Sequence, residues 1–166
     1  MNELLEGRRF GFALRPQLGH LAAGLGIGVL LLDLMAWFGW GARDTNGLVI
    51  AAYWVAVPAA VLAALAGVTA FIESRDAPDD DRALARLDVL AAFVAFLLYA
   101  VSCALRVADQ TAAASSPAAL LSSMAGLIVL LVDGVIASTL YASREWEVPD
   151  EEDYEPRRHQ KRRRAS

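Results

Sequence analysis

Cysteine, histidine and lysine are nearly absent from this chain, and each scarcity removes a class of function. Cys103 is the only cysteine of 166 residues. It admits no internal disulfide, and no metal centre can be built on a cysteine cluster. It lies inside an apolar run, where a small buried residue is its expected role. The two histidines are His20, at the start of the first apolar run, and His159, far along the C-terminal segment. A haem held by two histidines of one chain is disfavoured, and no cofactor or metal is expected. Lys161 is the sole lysine among 15 basic residues. Arginine in its place, with abundant alanine, points to a GC-rich bacterial genome. No catalytic signature occurs, and none of the polar stretches is long enough to bury a core of its own. The expected protein is not an enzyme.

Apolar length is what the chain has in plenty. It is 57% hydrophobic, against roughly 45–50% for soluble domains, and its mean hydropathy is +0.41. Four continuous runs fall at about 20–40, 48–72, 84–107 and 118–141. Each is long enough to cross a hydrocarbon core of about 30 Å at 1.5 Å per residue. Within a bilayer each backbone group needs an internal partner, so the runs should be helices, and their lack of alternation sets strands aside. A cleaved leader is not expected: the first run is longer than a leader's apolar segment. The organisation expected is a segment 1–18, a four-span domain 19–142 and a charged tail 143–166. The fold class is all-α, an integral membrane four-helix up-down-up-down bundle.

Arginine placement orients it. Of the 15 basic residues only Arg43 and Arg106 fall on one side of the implied membrane. The positive-inside tendency then puts both termini in the cytoplasm of a bacterial inner membrane. Trp37, Trp40, Tyr53 and Trp54 form an aromatic belt at the opposite interface.

Lipid tails are as apolar as leucine, so helix association depends on close approach of small residues. Gly24-x-x-x-Gly28 on the first span, with Gly19, Ala22, Gly26 and Ala36, and Ala52, Ala56, Ala60, Ala64 and Gly67 on the second, predict a tight contact between these two. Pro58 is expected to kink the second span unless neighbours take up the freed carbonyl. On the third span Asp88, Ala92, Ala95, Tyr99, Ser102 and Arg106 recur at steps of four and three, a single helical face turned to the bundle interior. Gly126, Leu130, Asp133, Ala137 and Tyr141 do the same on the fourth.

Asp33 and Asp133 are the most informative residues. A carboxylate at mid-span costs about 2.5–3.5 kcal/mol on insertion scales and commonly marks function. The two differ in depth by roughly 10 Å. Asp33 can accept from Tyr53 or pair with Arg106; Asp133 can accept from Thr69 or pair with Arg86. Asp33, Asp133, Arg106, Tyr53 and His20 are the candidate polar site. In the loop 73–82, Asp79 to Asp81 resemble an N-cap for the third span. The tail turns from acidic to basic, and Arg157, Arg158, Lys161, Arg162, Arg163 and Arg164 could hold anionic lipid at about 1 kcal/mol per charge, or a partner. Nucleic acid is not an expected partner, since no folded module supports it.

Arg15-Pro16-Gln17-Leu18-Gly19-His20 resembles the His-Pro-x-x-x-His segment that introduces the first span in a family of uncharacterised bacterial four-span inner-membrane proteins, with arginine at the first histidine position. Gly67-Val68-Thr69 fits that family's small-residue position. The resemblance covers about 16–141 and implies an intact four-helix module. Two function classes stand: a non-catalytic accessory or assembly subunit of a larger membrane complex, and a small-solute or proton-handling module that uses intramembrane carboxylates.

Overall fold

The computed structural model of the chain describes residues 14–75 and 77–145. They form four helices and no strand: α1 (Leu14–Trp37), α2 (Gly47–Arg75), α3 (Arg82–Asp109) and α4 (Pro117–Glu145). All four are long and apolar enough to cross a membrane. α1 packs on α2, α2 on α3, α3 on α4 and α4 back on α1, which closes a four-membered ring. Of the expected segment 1–18, residues 14–18 are the first turns of α1, so the helical domain begins earlier than expected; residues 1–13 and the basic residues of the tail lie outside the described residues.

The helix ends follow from local chemistry. α1 starts six residues earlier than its apolar run, because Pro16 sits in the first turn, where no intrahelical N–H is needed. It stops at Trp37 through a Schellman motif. Trp40 N–H bonds Met35 O at 3.0 Å, Gly39 N–H bonds Ala36 O at 3.0 Å, and Gly39 takes φ 82°, a conformation that glycine adopts without a Cβ penalty. Trp40 therefore lies beyond the helix. Asn46 caps α2: its Oδ1 accepts from Leu48 N–H at 3.0 Å. α2 continues as helix through Pro58, on an exposed face. α4 opens with Pro117 behind Ser116, whose Oγ accepts from Ala119 N–H at 3.4 Å. The expected aspartate cap of α3 is corrected. Asp81 holds the N-cap position but makes no side-chain cap bond, and Asp79 pairs with Arg82 at 2.8 Å on the surface.

The core is made of small side chains. Ala22, Ala23, Ala59, Ala60, Ala63 and Ala95 surround Tyr99, Leu127 and Leu130, while Leu31, Val68, Phe93, Ile128 and Val135 face outward. This is the distribution expected when the surrounding medium is hydrocarbon and helices adhere by close approach. Tyr99 fills the centre between two glycines. A Cβ at Gly26 would collide with the Tyr99 hydroxyl, and one at Gly126 would stand 2.9 Å from the Tyr99 ring.

The packing motifs need correction. Gly24 is exposed, with nothing within 4 Å of where its Cβ would be, and Gly28 meets only Val55, at 3.7 Å. The buried face of α1 runs through Gly19, Ala22, Gly26 and Val29. Two residues subtend about 200° of helix, so Gly24 points away when Gly26 points in. Ala56 and Ala60 are buried as the small-residue pattern requires. Gly67 packs on Ala92 and Phe93 of α3, not on α1.

Candidate functional site

Buried charge gathers in two clusters, and the four-three periodicity of the helices explains both. Along α1 the buried residues are Arg15, Gly19, Ala22, Gly26, Val29, Asp33 and Ala36, with Ala23 beside the stripe. Along α3 they are Ala85, Asp88, Ala92, Ala95, Tyr99, Ser102 and Arg106. The first stripe begins with an arginine and nears its end at an aspartate. The second begins near an aspartate and ends on an arginine. Arg15 meets Asp88 and Asp33 meets Arg106, and each pair is separated by 73 positions in the chain. Within each helix the two charges stand about 27 Å apart along the axis, close to the thickness of a hydrocarbon core.

The Arg106 cluster is complete. Arg106 Nη1 and Nη2 donate to Asp33 Oδ1 and Oδ2 at 2.8 and 2.6 Å, a two-pronged contact. Its Nε donates to Ser102 Oγ at 3.2 Å, Nη1 also to Ser115 Oγ at 2.9 Å, and Nη2 also to Ser123 Oγ at 3.1 Å. All five guanidinium N–H groups are thus used. Ser115 returns its own proton to Asp33 Oδ1 at 2.6 Å, and Ser102 and Ser123 donate theirs to Ala119 O and Leu120 O. The cluster is electrically neutral, both charged side chains are fully buried, and it ties α1, α3, α4 and the α3–α4 connection together. Tyr53, the other candidate partner of Asp33, instead stacks edge-on against Trp54 with ring centres 5.3 Å apart.

The Arg15 cluster is unbalanced. Arg15 Nε donates to Asp88 Oδ2 at 3.1 Å, and Nη2 donates both to Asp88 Oδ1 at 2.8 Å and to Asp133 Oδ1 at 2.6 Å. One cation serves two carboxylates. Arg15 Nη1 and Asp133 Oδ2 are enclosed without a hydrogen-bond partner. Asp133 therefore finds neither of its expected partners: Thr69 donates to Ala66 O in its own helix at 2.9 Å, and Arg86 is exposed. The reason is the earlier start of α1, which brings Arg15 into the bundle. The signal was present in the sequence. Stepping back from Asp33 by four, three, four, three and four arrives at Arg15. Ser115 and Ser123 gave no such signal, as serines in a connector and on an apolar helix.

His20 is exposed at the edge of this region, and its Nδ1 lies 2.7 Å from Pro16 O. It does not join the cluster. The side chain of Tyr141 and the six basic tail residues Arg157, Arg158, Lys161, Arg162, Arg163 and Arg164 lie outside the described residues. Between α2 and α3 an apolar groove of about 340 Å³ opens outward, with Gly67 at its floor and Val68, Phe71, Val89, Phe93 and Phe96 on its walls. Comparison with protein-family models, curated proteins and solved structures gives no match.

Proposed function

We propose that the protein is a multi-pass component of a bacterial cytoplasmic membrane, running up-down-up-down with both termini inside. In this reading it serves as a non-catalytic accessory or assembly subunit of a larger membrane complex and belongs to the uncharacterised four-span family it resembles. The observation that carries the reading is the distribution of polarity. The two charge clusters are sealed inside and lock helices to one another, while the outer surface is apolar and carries the groove of α2 and α3. A small-residue floor between aromatic walls accepts a neighbouring helix through close packing. The up-down course is supported by the equal chain separation of the two α1–α3 pairs.

The test is affinity purification of the full chain in mild detergent. A membrane protein in fixed stoichiometry is expected, and its recovery should fall in Val68→Trp, which fills the groove from an exposed position. A chain that purifies alone, or only with copies of itself, would overturn the reading. The second reading, a solute- or proton-handling module, gains nothing from Asp33 and Arg106, whose pair is balanced and saturated. The unequal charge around Asp133 favours it.

A further inference from the structure

Among the described residues, the Arg15 cluster sets two buried carboxylates against one guanidinium. Arg15 is 1% exposed and Asp133 fully buried, with Asp88 at 4%. Two carboxylate oxygens, one from Asp88 and one from Asp133, converge on the same Nη2. The surroundings, element by element, supply no second cation among the described residues. α1 contributes Arg15 alone, with His20 turned outward and bonded to Pro16 O. α3 contributes Asp88, with Arg86 exposed. α4 contributes Asp133. α2, whose Gly67 packs on Ala92 one turn from Asp88, carries Thr69, the acidic Glu73 a turn further on, and Arg75, which is exposed and lies over the Phe71 ring. With both aspartates ionised, an uncompensated charge would stand in low dielectric beside a like charge, the arrangement that neutralisation by a proton relieves.

Of the two unpartnered atoms here only the carboxylate oxygen can take a proton. Asp133 Oδ2 and Arg15 Nη1 are both enclosed and unpartnered, and both look onto Gly19. A Cβ there would lie 3.1 Å from Nη1 and 3.7 Å from Oδ2. The absence of a side chain at Gly19 lets the α1 backbone close over the two atoms, where a Cβ would crowd Nη1.

We propose that Arg15, Asp88 and Asp133 form a site for one exchangeable proton, seated on Asp133 Oδ2. Binding adds one proton from the adjacent aqueous phase to a carboxylate and gives a neutral carboxyl; no electron moves and no other bond breaks. In the loaded state Asp88 keeps its two-pronged hold on Arg15 through Nε and Nη2, a balanced pair equivalent to that of Asp33 and Arg106. In the unloaded state Asp133 competes for Nη2 with a full charge. Proton occupancy thereby sets how firmly α4 is tied to α1 and α3. The site stands independently of the subunit reading.

Infrared spectroscopy of the full chain in lipid nanodiscs tests this. At neutral pH exposed carboxyls are ionised, so a protonated-carboxyl C=O stretch reports a buried acid. One such band per chain is expected. It should shift in D2O and on aspartate-selective carbon-13 labelling. It should vanish in Asp88→Asn and equally in Asp133→Asn, because either variant leaves one carboxylate to one guanidinium. A wild-type chain without a labelled aspartic acid band overturns the proposal whether or not the variants fold. So does a band that survives in both variants, which would place the proton elsewhere.

Discussion

At the scale of single residues, the two clusters show what a charge needs in order to stay in an apolar interior. Arg106 has an acceptor for every N–H, so removing it strands Asp33 at zero exposure. Breaking one partner of such a pair costs about 3–5 kcal/mol, whereas replacing both is far milder. Arg106→Ala should therefore lose that much stability in a detergent unfolding titration, and Asp33→Ala/Arg106→Ala should recover most of it. The glycines make a second comparison. Gly26→Ala drives a methyl into the Tyr99 hydroxyl and against Leu127, a form of overpacking that costs about 1–3 kcal/mol. Gly24→Ala meets nothing within 4 Å and should leave thermal unfolding unchanged or slightly raised. The sequence motif that names Gly24 and Gly28 as a pair thus misplaces the tight contact, since a spacing of four is satisfied on any face of a helix.

At the scale of elements, the connections do more than join spans. Asn46 accepts at the start of α2 and donates through Nδ2 to Trp40 O at 2.7 Å and to Ala113 O at 2.9 Å. Its own N–H reaches Ala112 O at 3.3 Å. The α1–α2 connection is thereby pinned to the α3–α4 connection, with Trp37 Nε1 bonding Ser115 O at 3.1 Å beside it. Asn46→Ala should cost about 1–3 kcal/mol by leaving buried acceptors and donors unpaired, and limited proteolysis should then cut these connections faster. The interior stripe of α3 was legible residue by residue, because a face lined by Asp88, Ala92, Ala95, Tyr99, Ser102 and Arg106 differs sharply from one lined by Phe93 and Leu97. The start of α1 was less legible. Arg15 and Pro16 interrupt hydropathy, and a threshold on apolar length stops short of a helix whose first turn is polar yet buried.

At the scale of the whole molecule, four apolar helices in a closed ring leave bulky residues on the outside and alanine within. The proposed orientation places the loop between α2 and α3 in the cytoplasm and the loop between α3 and α4 outside. In a Cys103→Ser background, Thr111→Cys should react with an impermeant maleimide in intact spheroplasts, and Asp79→Cys only after lysis; both positions are exposed. The reverse pattern would invert the topology.

The number of membrane-length helices, their approximate limits and the inward stripes of α3 and α4 were determined by the sequence alone. Apolar length and periodicity are local properties, written within one segment at a time. Only the tertiary structure decided that Asp133 pairs with Arg15, that Asp88 shares that guanidinium, and that, among the described residues, one cluster is balanced while the other sets two acids against one base. A partner depends on the rotation and depth of several helices at once. A change of one residue in register turns a side chain by about 100°, and no single segment records the combined result.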